Sequence, residues 1–248
     1  MAKVEIHREF LKADTWEELQ GIQSDQRKRV PPPPLEKPAP EDAERIDLVA
    51  PDVWEVAPVT VAEAIQRRQS HRRFSEAPLS LEELSFLLWA AQGVQGVFKN
   101  GIALRRTVPS AGARHPFETY VLVNRVADVT PGLYRYLSRE HQLCFCYAEE
   151  GLVDQAVEAC RQQRWIASAA VTLMWTAIPY RTEWRYSVVS PKLIALDAGH
   201  VCENLYLACE AVGAGTCAVG AYDQQKLDAL LRVDGEDEFA IYVAPVGK

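Results

Sequence analysis

A proline-bracketed stretch near the middle of the chain, residues 105–118, constrains the fold most strongly. It reads Arg-Arg-Thr-Val-Pro-Ser-Ala-Gly-Ala-Arg-His-Pro-Phe-Glu and lies between a helical pattern and a β-rich run at 119–124. Pro109 and Pro116 restrict the backbone, so the stretch is predicted to be a rigid turn. Gly112 and its flanking alanines permit a flat ligand to approach the main chain closely. A tight surface turn before a strand is the alternative interpretation.

The composition is ordinary for a globular protein that buries a sizeable core. Of the 248 residues, 48% are hydrophobic and 25% are charged, and the net charge is −7. The negative charge argues against a general binder of nucleic acid or of anionic membranes. No apolar run reaches the roughly 20 residues that cross a bilayer. The first ten residues include acids and lack a continuous apolar core, so no signal peptide is predicted.

The cysteines and the histidine of the longest helical pattern give no indication of a metal site. The six cysteines lack the C-x-x-C spacing of structural zinc sites; they are Cys144, Cys146, Cys160, Cys202, Cys209 and Cys217. Small buried thiols in a reducing cytoplasm are therefore expected. His200 is expected to be a hydrogen-bonded core residue rather than a ligand.

Residues 1–58 differ in composition from the rest and are predicted to form an N-terminal arm. The run Val30–Pro40 contains six prolines and is expected to be extended polyproline II. A semi-rigid linker or arm is one interpretation, and an SH3-type ligand is the other. We expect the arm to lie over its own or a partner subunit because it carries apolar anchors, namely Ile46, Leu48, Val49, Val53 and Trp54.

Two capping boxes mark the first helices of the predicted domain at 59–248. Thr60 with Glu63 predicts a helix that ends near Gln69. Ser80 with Glu83 predicts a helix to about Ala91, after which Gly93 and Gly96 are expected to open a loop. The intervening segment, Arg67–Phe74, has four arginines and a serine without an acid. It is either an anion site or a solvated basic helix end.

The second half of the chain alternates helical and strand patterns. Strands are predicted at 119–124, 133–137, 142–147, 169–176, 216–221 and 238–244, and helices at 152–160, 197–212 and 223–231. The pair at 133–147 reads as a hairpin. The helix at 197–212 is apolar almost all round, so it is expected at a domain centre or a subunit interface. Together the elements favour an α+β fold with helices packed on the sheet.

Five motifs taken in order resemble those of the nitroreductase-like FMN flavoproteins, and most closely the SagB/ThcOx-type dehydrogenases. The resemblance covers about residues 59–248. The motifs are Arg68-Gln-Ser-His-Arg72, Pro109-Ser-Ala-Gly-Ala113 with His115-Pro116, Gly132-Leu-Tyr-Arg-Tyr136, Asp197-Ala-Gly-His200 with Asn204-Leu-Tyr-Leu-Ala208, and Gly213-Ala-Gly215 with Val219-Gly-Ala221. The resemblance implies a mixed, mainly antiparallel sheet flanked by helices. It also implies a homodimer with FMN at the interface.

The resemblance further implies which residues hold the cofactor. The basic segment would bind the phosphate and pyrimidine end of FMN, with Gln69 where the family usually has a second arginine. The turn would lie against the isoalloxazine ring, and the segment after the long helix would contact the flavin from the other side. The implied cofactor-binding residues are Arg68, Gln69, Ser70, Arg72, Pro109, Ser110, Ala111, Gly112, Val219, Gly220, Ala221 and Lys248.

The implied activity is that of an FMN-dependent oxidoreductase that passes hydride through flavin N5 to or from a small or peptide substrate. NADH or NADPH is a candidate electron donor. Azoline dehydrogenation of a modified peptide is an alternative, and a flavin-binding protein without ordinary turnover is another. In azoline oxidases a Lys–Tyr pair is implicated. The corresponding region here lacks an adjacent pair and offers Tyr180, Tyr186 and Lys192 as the candidate catalytic residues.

Overall fold

The computed structural model describes residue 4, residues 7–98 and residues 102–248. Residues 1–3 and 5–6 of the N-terminal segment, and residues 99–101 of the predicted loop, lie outside the described residues. The helices are Thr15–Gly21 (α1), Val61–Arg67 (α2), Leu81–Gln92 (α3), Leu152–Ala159 (α4), Tyr180–Tyr186 (α5), Ser190–Ala211 (α6) and Gln224–Leu231 (α7). The strands are Arg45–Asp47 (β1), Val94–Phe98 (β2), Ala103–Arg106 (β3), Phe117–Val123 (β4), Gly132–Leu137 (β5), Gln142–Tyr147 (β6), Val171–Ala177 (β7), Gly215–Thr216 (β8) and Phe239–Gly247 (β9).

A seven-stranded sheet in the order β1-β6-β5-β4-β7-β9-β8 forms the centre of the fold. Every pair of neighbouring strands in this sheet is antiparallel. Parallel pairing occurs in two isolated bridges, Ser70 with Thr216 and Leu79 with Val126. The predicted α+β class with a mainly antiparallel sheet is therefore confirmed. The predicted hairpin at 133–147 is confirmed as β5 and β6.

Helices cover both faces of the sheet, which explains why β4 and β7 are buried along their whole length. Val121 and Leu173 belong to the core cluster that contains the apolar sides of α3 and α6. Leu122 and Met174 point to the other face, into the cluster with α4 and α7, because side chains alternate along a strand. Each fully buried aliphatic side chain of this kind stabilises the fold by about 1.5–3 kcal/mol.

Both predicted capping boxes are present. The Glu63 N–H donates to the Thr60 hydroxyl at 3.2 Å, and the Thr60 N–H donates to the Glu63 carboxylate at 2.9 Å. Ser80 and Glu83 make the equivalent pair of bonds at 3.1 and 2.9 Å. Helix α2 ends at Arg67 rather than near Gln69. It ends early because the chain turns toward β8, where the His71 N–H donates to the Thr216 carbonyl at 2.9 Å.

Three predictions of local structure were wrong. The loop expected after Gly93 is instead a hairpin of β2 and β3, with an irregular register at Gly96 that weakened the strand pattern. The strand expected at 216–221 is continuous at Gly215–Thr216 and pairs again with β9 in a single bridge from Val219 to Val243. It stops because the Ala218 N–H donates to the Tyr206 hydroxyl at 2.8 Å instead of to a strand. Helix α6 begins at Ser190, seven residues before Asp197, because Pro191 is tolerated in its first turn.

The N-terminal arm packs on the body of its own chain. Strand β1 pairs with β6, and Leu48 next to it is buried. Trp54 lies edge-on between the rings of Phe86 and Trp89 at 5.3 and 5.1 Å. Val53, which was predicted to be an anchor, is 61% exposed. Its side chain points away from the core because the neighbouring Trp54 fills the site against α3.

A buried charge cluster fastens the proline-rich part of the arm to the sheet. Glu118 accepts from Arg181 at 2.5 Å, from Arg135 at 3.4 Å and from the Lys37 N–H at 2.8 Å. Arg135 also donates to the carbonyls of Lys37 and Pro38 at 2.9 and 2.8 Å. One buried carboxylate therefore pairs with two buried guanidinium groups and holds the arm backbone. No helix in the described part of the chain is long and apolar enough to span a membrane.

We predict that Glu118→Gln lowers the free energy of unfolding by about 3–5 kcal/mol, because it leaves two buried arginines without a carboxylate. Chemical denaturation followed by circular dichroism measures the change. The control is Glu150→Gln, since Glu150 is exposed, and its effect is expected to stay within about 0.5 kcal/mol. Equal stabilities for the two variants would contradict a structural role for the cluster.

Candidate functional site

The predicted turn at 109–116 is rigid because one carboxylate of α6 holds it. The Ser110 hydroxyl donates to Asp197 at 2.6 Å, and the Ala111 N–H donates to the same carboxylate at 3.2 Å. The Ser110 oxygen in turn accepts from the His115 N–H at 2.9 Å. Both hydrogen-bonding functions of the serine hydroxyl are therefore used within the chain.

Burial raises the pKa of Asp197, and the hydrogen bonds from Ser110 and Ala111 oppose that shift. The two donors point at the buried carboxylate and favour its charged form. His200, one turn further along α6, has Nδ1 at 3.9 Å from the Asp197 carboxylate. The His200 side chain is 49% exposed. The prediction that it is a core histidine is therefore wrong, because its face of α6 points outward.

Gly112 has a structural requirement of its own. Its φ of 60° lies in the left-handed region, and an added Cβ would lie 2.7 Å from the Tyr186 hydroxyl oxygen. The aromatic side chain of Tyr186 thus closes one side of the turn. Trp16 of the arm meets Tyr186 edge-on at 6.1 Å between ring centroids. The arm is therefore connected to the turn through two aromatic residues in edge-to-face contact.

A second group of predicted site residues meets further along α6, at Tyr206. The Ser70 and Tyr206 hydroxyls lie 3.1 Å apart, and the Arg68 guanidinium lies 5.4 Å from the centre of the Tyr206 ring. The Tyr206 hydroxyl also accepts from the Ala218 N–H. Tyr206 therefore brings the basic segment after α2 next to the segment that follows β8.

The side chains of the basic segment are available to an anion. Gln69, Ser70 and Arg72 are exposed and Arg68 is half-buried. In the part of the chain that the structure describes, neither Arg68 nor Arg72 lies within ion-pair distance of a carboxylate, whereas Arg67 pairs with Glu63 at 3.5 Å. Forked donors without a carboxylate partner are suited to a phosphate.

The predicted cofactor-binding residues after β8 would offer a ligand their backbone rather than their side chains. Val219 is buried and pairs with Val243 through an N–H to carbonyl bond of 2.7 Å. Gly220 is exposed, and a Cβ built on it would have no atom within 4 Å. The Ala221 carbonyl accepts from Gln163 at 3.1 Å. The open space at Gly220 allows a ligand to approach the main chain there.

Lys248 and the three candidate catalytic residues are engaged within the chain. Lys248 Nζ donates to Glu83 at 2.5 Å and to the Val212 carbonyl. The Tyr180 hydroxyl donates to Asp25 at 2.9 Å. Lys192 Nζ donates to the carbonyls of Leu11 and Lys12 at 2.5 and 2.9 Å. Tyr180, Tyr186 and Lys192 thus all contact the N-terminal arm.

Sequence reasoning missed the two residues of α6 that organise the site. Asp197 and Tyr206 belong to recognised motifs, but no role was predicted for them. They are nine positions apart, which corresponds to about 14 Å along the helix axis at 1.5 Å per residue. The turn and the basic segment are therefore held at two separate points of one helix.

Comparison with known proteins identifies the family. The model of the Nitroreductase family matches residues 65–248. The curated relative "Putative nitroreductase MJ1384" of Methanocaldococcus jannaschii is 32% identical over 203 residues, which are 82% of this chain and 96% of the relative. The trifolitoxin-processing protein TfxB of Rhizobium leguminosarum bv. trifolii is 29% identical over 164 residues, 63% of this chain and 44% of TfxB.

Solved structures share the fold. A crystal structure described as a "putative nitroreductase" from Ralstonia eutropha JMP134 matches with a TM-score of 0.67 and 29% identity, over 88% of this chain and 97% of that chain. The E. coli microcin synthetase McbBCD complex with truncated pro-MccB17 matches with a TM-score of 0.60 and 17% identity, over 84% and 79%. A nitroreductase-like protein from Desulfovibrio desulfuricans in complex with FMN matches with a TM-score of 0.53 and 18% identity, over 77% and 87%. The family match and the similarity to MJ1384 together establish that this chain belongs to the nitroreductase family.

Proposed function

We propose that the protein is an FMN-dependent oxidoreductase that acts on a small or peptide substrate. The observation that carries the proposal is the convergence at Tyr206 of Ser70 and Arg68 with the backbone that leads to Gly220. Arginines without a carboxylate partner fit a dianionic phosphate, and an open glycine fits the flat ring system of the cofactor. Membership of the nitroreductase family and the FMN bound to the Desulfovibrio desulfuricans relative support the same assignment.

The residues present fit FMN through side chains at its phosphate end and through backbone at its ring system. Arg68, Ser70 and Arg72 would hold the phosphate end through charged donors and a hydroxyl. The turn at Pro109–Gly112 would lie against the ring through its backbone, because the Ser110 hydroxyl already donates to Asp197. Gln69, Val219, Ala221 and Lys248 complete the proposed cofactor-binding set. Lys248 would first have to leave Glu83.

When bound, FMN would supply the redox chemistry by accepting and donating hydride at N5. The residues of this chain would orient the cofactor and leave one face open to the substrate or to NADH or NADPH. Asp197 would hold the turn in place by accepting hydrogen bonds from Ser110 and Ala111. Tyr180, Tyr186 and Lys192 remain the candidate catalytic residues, and they would become available when the arm segments that contact them move.

We further propose a homodimer in which each FMN is held by both chains. In one chain the turn and the basic segment are about 14 Å apart along α6, so an antiparallel pairing of two α6 helices would bring the turn of one copy to the basic segment of the other. The exposed apolar side chains on the adjoining helices α2 and α6 support this interface. They are Val61, Ile65 and Leu196, at 71%, 60% and 53% exposure.

We also propose that residues 1–58 act as an arm on a catalytic domain formed by residues 59–248. The match to the family begins at residue 65, after the arm. The arm is tied to the domain by the Glu118 cluster and by the contacts of Asp25 and Leu11 with α5 and α6. It would cover the surface at Tyr180 and Lys192 and so control access to it.

A modified peptide is the second candidate substrate. TfxB is named as a trifolitoxin-processing protein, and the microcin synthetase complex has truncated pro-MccB17 bound. Azoline dehydrogenation would belong to this class. Incubation of the FMN-loaded protein with an azoline-containing peptide, followed by mass spectrometry, tests it. A loss of 2 Da on the azoline ring would support the peptide hypothesis, and an unchanged mass would leave reduction of small acceptors as the proposed activity.

We predict that Arg72→Ala weakens FMN binding by about tenfold to a hundredfold, because a hydrogen bond to a charged group contributes about 1.5–3 kcal/mol. Quenching of FMN fluorescence during titration of the apoprotein measures the affinity. Arg73→Ala is the matched control, since Arg73 is also exposed in the same segment but lies outside the proposed site. Similar affinities for both variants would count against the phosphate assignment.

We predict that Leu196→Glu converts the dimer to a monomer and reduces FMN content in parallel, because it introduces two charges into a symmetric interface. Light scattering after size-exclusion chromatography gives the mass, and absorbance near 450 nm gives the flavin content. Val53→Glu changes a similarly exposed apolar residue of the arm and is expected to leave both the mass and the flavin content unchanged. A monomeric wild-type protein that binds one FMN per chain would contradict the proposal that two chains share each site.

A further inference from the structure

A groove of about 730 Å³ lies between the β2–β3 hairpin and the turn at Pro109–Ser110. We call it the hairpin groove. Its apolar walls include Val97, Leu104 and Val108, and its polar lining includes Arg106 and His115. The groove is large enough for a small organic molecule. Because Pro109 and Ser110 belong to its lining, it borders the turn that is proposed to contact the flavin.

Arg106 is a buried cation in this groove without an adjacent acid. The residue is 6% exposed, and its Nη1 donates to the carbonyl and side-chain oxygens of Gln92 at 2.9 and 3.0 Å. Its Nε is buried without a hydrogen-bond partner. Among the described residues, no carboxylate lies within ion-pair distance of Arg106, although buried charges are normally paired.

A structural role accounts for only part of this arrangement. Gln92 is the last residue of α3, so Nη1 of Arg106 satisfies a carbonyl at the negative end of a helix. That contact leaves the rest of the guanidinium without an acid. Burial lowers the pKa of Arg106 against the field of Glu36 and Glu118. Both of these carboxylates are used elsewhere, Glu36 by Ser138 and Glu118 by Arg135 and Arg181.

The charges of Arg106, Arg114 and Arg181 act on His115 at one end of the groove. Arg114 and Arg181 are also buried, and each has a guanidinium nitrogen that is buried without a partner. His115 is neutral, because burial and then the charge of Arg106 lower its pKa to about 3. Its Nε2 lies 3.2 Å from the Leu104 carbonyl, which requires the proton on that nitrogen. This end of the groove therefore lies in a positive field with little screening by water.

We propose that the hairpin groove is a substrate subsite for an apolar carboxylate, with the carboxylate on Arg106 and the apolar part against Val97, Leu104 and Val108. The ligand anion would supply the charge pairing that the buried guanidinium lacks. The site is separate from the proposed FMN phosphate site, which lies near Tyr206 of α6. That the ligand is the reducible or oxidisable substrate rests on the proposed function.

Two probes of the same shape test the site on the unmodified protein. We expect 3-phenylpropanoate to bind at least tenfold more tightly than 3-phenylpropanamide in isothermal titration calorimetry at low salt. The preference is expected to persist in 0.5 M NaCl, since salt screens a buried charge pair much less than an exposed one. Equal affinity of the two probes, or no measurable binding of the carboxylate up to 10 mM, would overturn the proposal.

Variants of Arg106 assign the preference to that residue. Arg106→Gln is expected to abolish the preference, and Arg106→Lys, which keeps the charge, is expected to retain part of it. The control is Arg45→Gln, which removes one positive charge from exposed Arg45 in β1 and is expected to keep the full preference. If Arg106→Gln does not fold, the carboxylate preference of Arg106→Lys is compared with that of the wild type. A reduced preference in Arg106→Lys supports the assignment, and an unchanged preference overturns it. A preference unchanged in Arg106→Gln overturns the assignment.

The FMN content of each sample separates the two proposals. A carboxylate preference in a protein that takes up no FMN supports the groove site and overturns the proposed oxidoreductase. A full complement of FMN without a carboxylate preference supports the proposed cofactor and overturns the groove site. Loss of FMN binding in Arg106→Gln with an unchanged probe preference would assign Arg106 to the cofactor and overturn the substrate subsite.

Discussion

The contact between Asp197 and the turn at Pro109–Gly112 is the interaction on which the candidate site depends. It joins two segments that are 87 residues apart in the chain through a buried carboxylate and two donors. The prolines, the packing of Gly112 against Tyr186 and the bond from the His115 N–H to the Ser110 oxygen also define the position of the turn. Further along helix α6, Tyr206 contacts the second set of site residues, Ser70 and Arg68. The geometry of the site is thus set by the length of one rigid helix.

The sequence was sufficient to predict the elements that depend on interactions between residues close together in the chain. The two capping boxes, the β5–β6 hairpin and the buried strand β7 follow from hydrogen bonds and periodicities within a few residues. The motifs also located the turn and the basic segment. What was not predictable depends on partners far away in the chain, such as the bond of Tyr206 that shortens β8. The hairpin β2–β3 was missed because Gly96 interrupts its alternation.

The charge distribution inside the protein is uneven in a way that the composition conceals. The chain as a whole has a net charge of −7, yet the interior near the turn holds the buried arginines Arg106, Arg114, Arg135 and Arg181. Glu118 pairs with two of them, Arg135 and Arg181, and also holds the arm. Stability of the arm and electrostatics of the site are therefore coupled through one carboxylate. A substitution in that cluster would alter both the packing of residues 36–38 and the field in the hairpin groove.

The outer strands of the sheet also have a consequence for solubility. Strand β1 of the arm has three residues and β8 has two, and these are the strands at the two edges. A long exposed edge is a template on which another chain can add a strand, and short edge strands deny it that template. By pairing with β6, the arm replaces a six-residue edge with one half as long. Detachment of the arm would therefore uncover a surface prone to self-association.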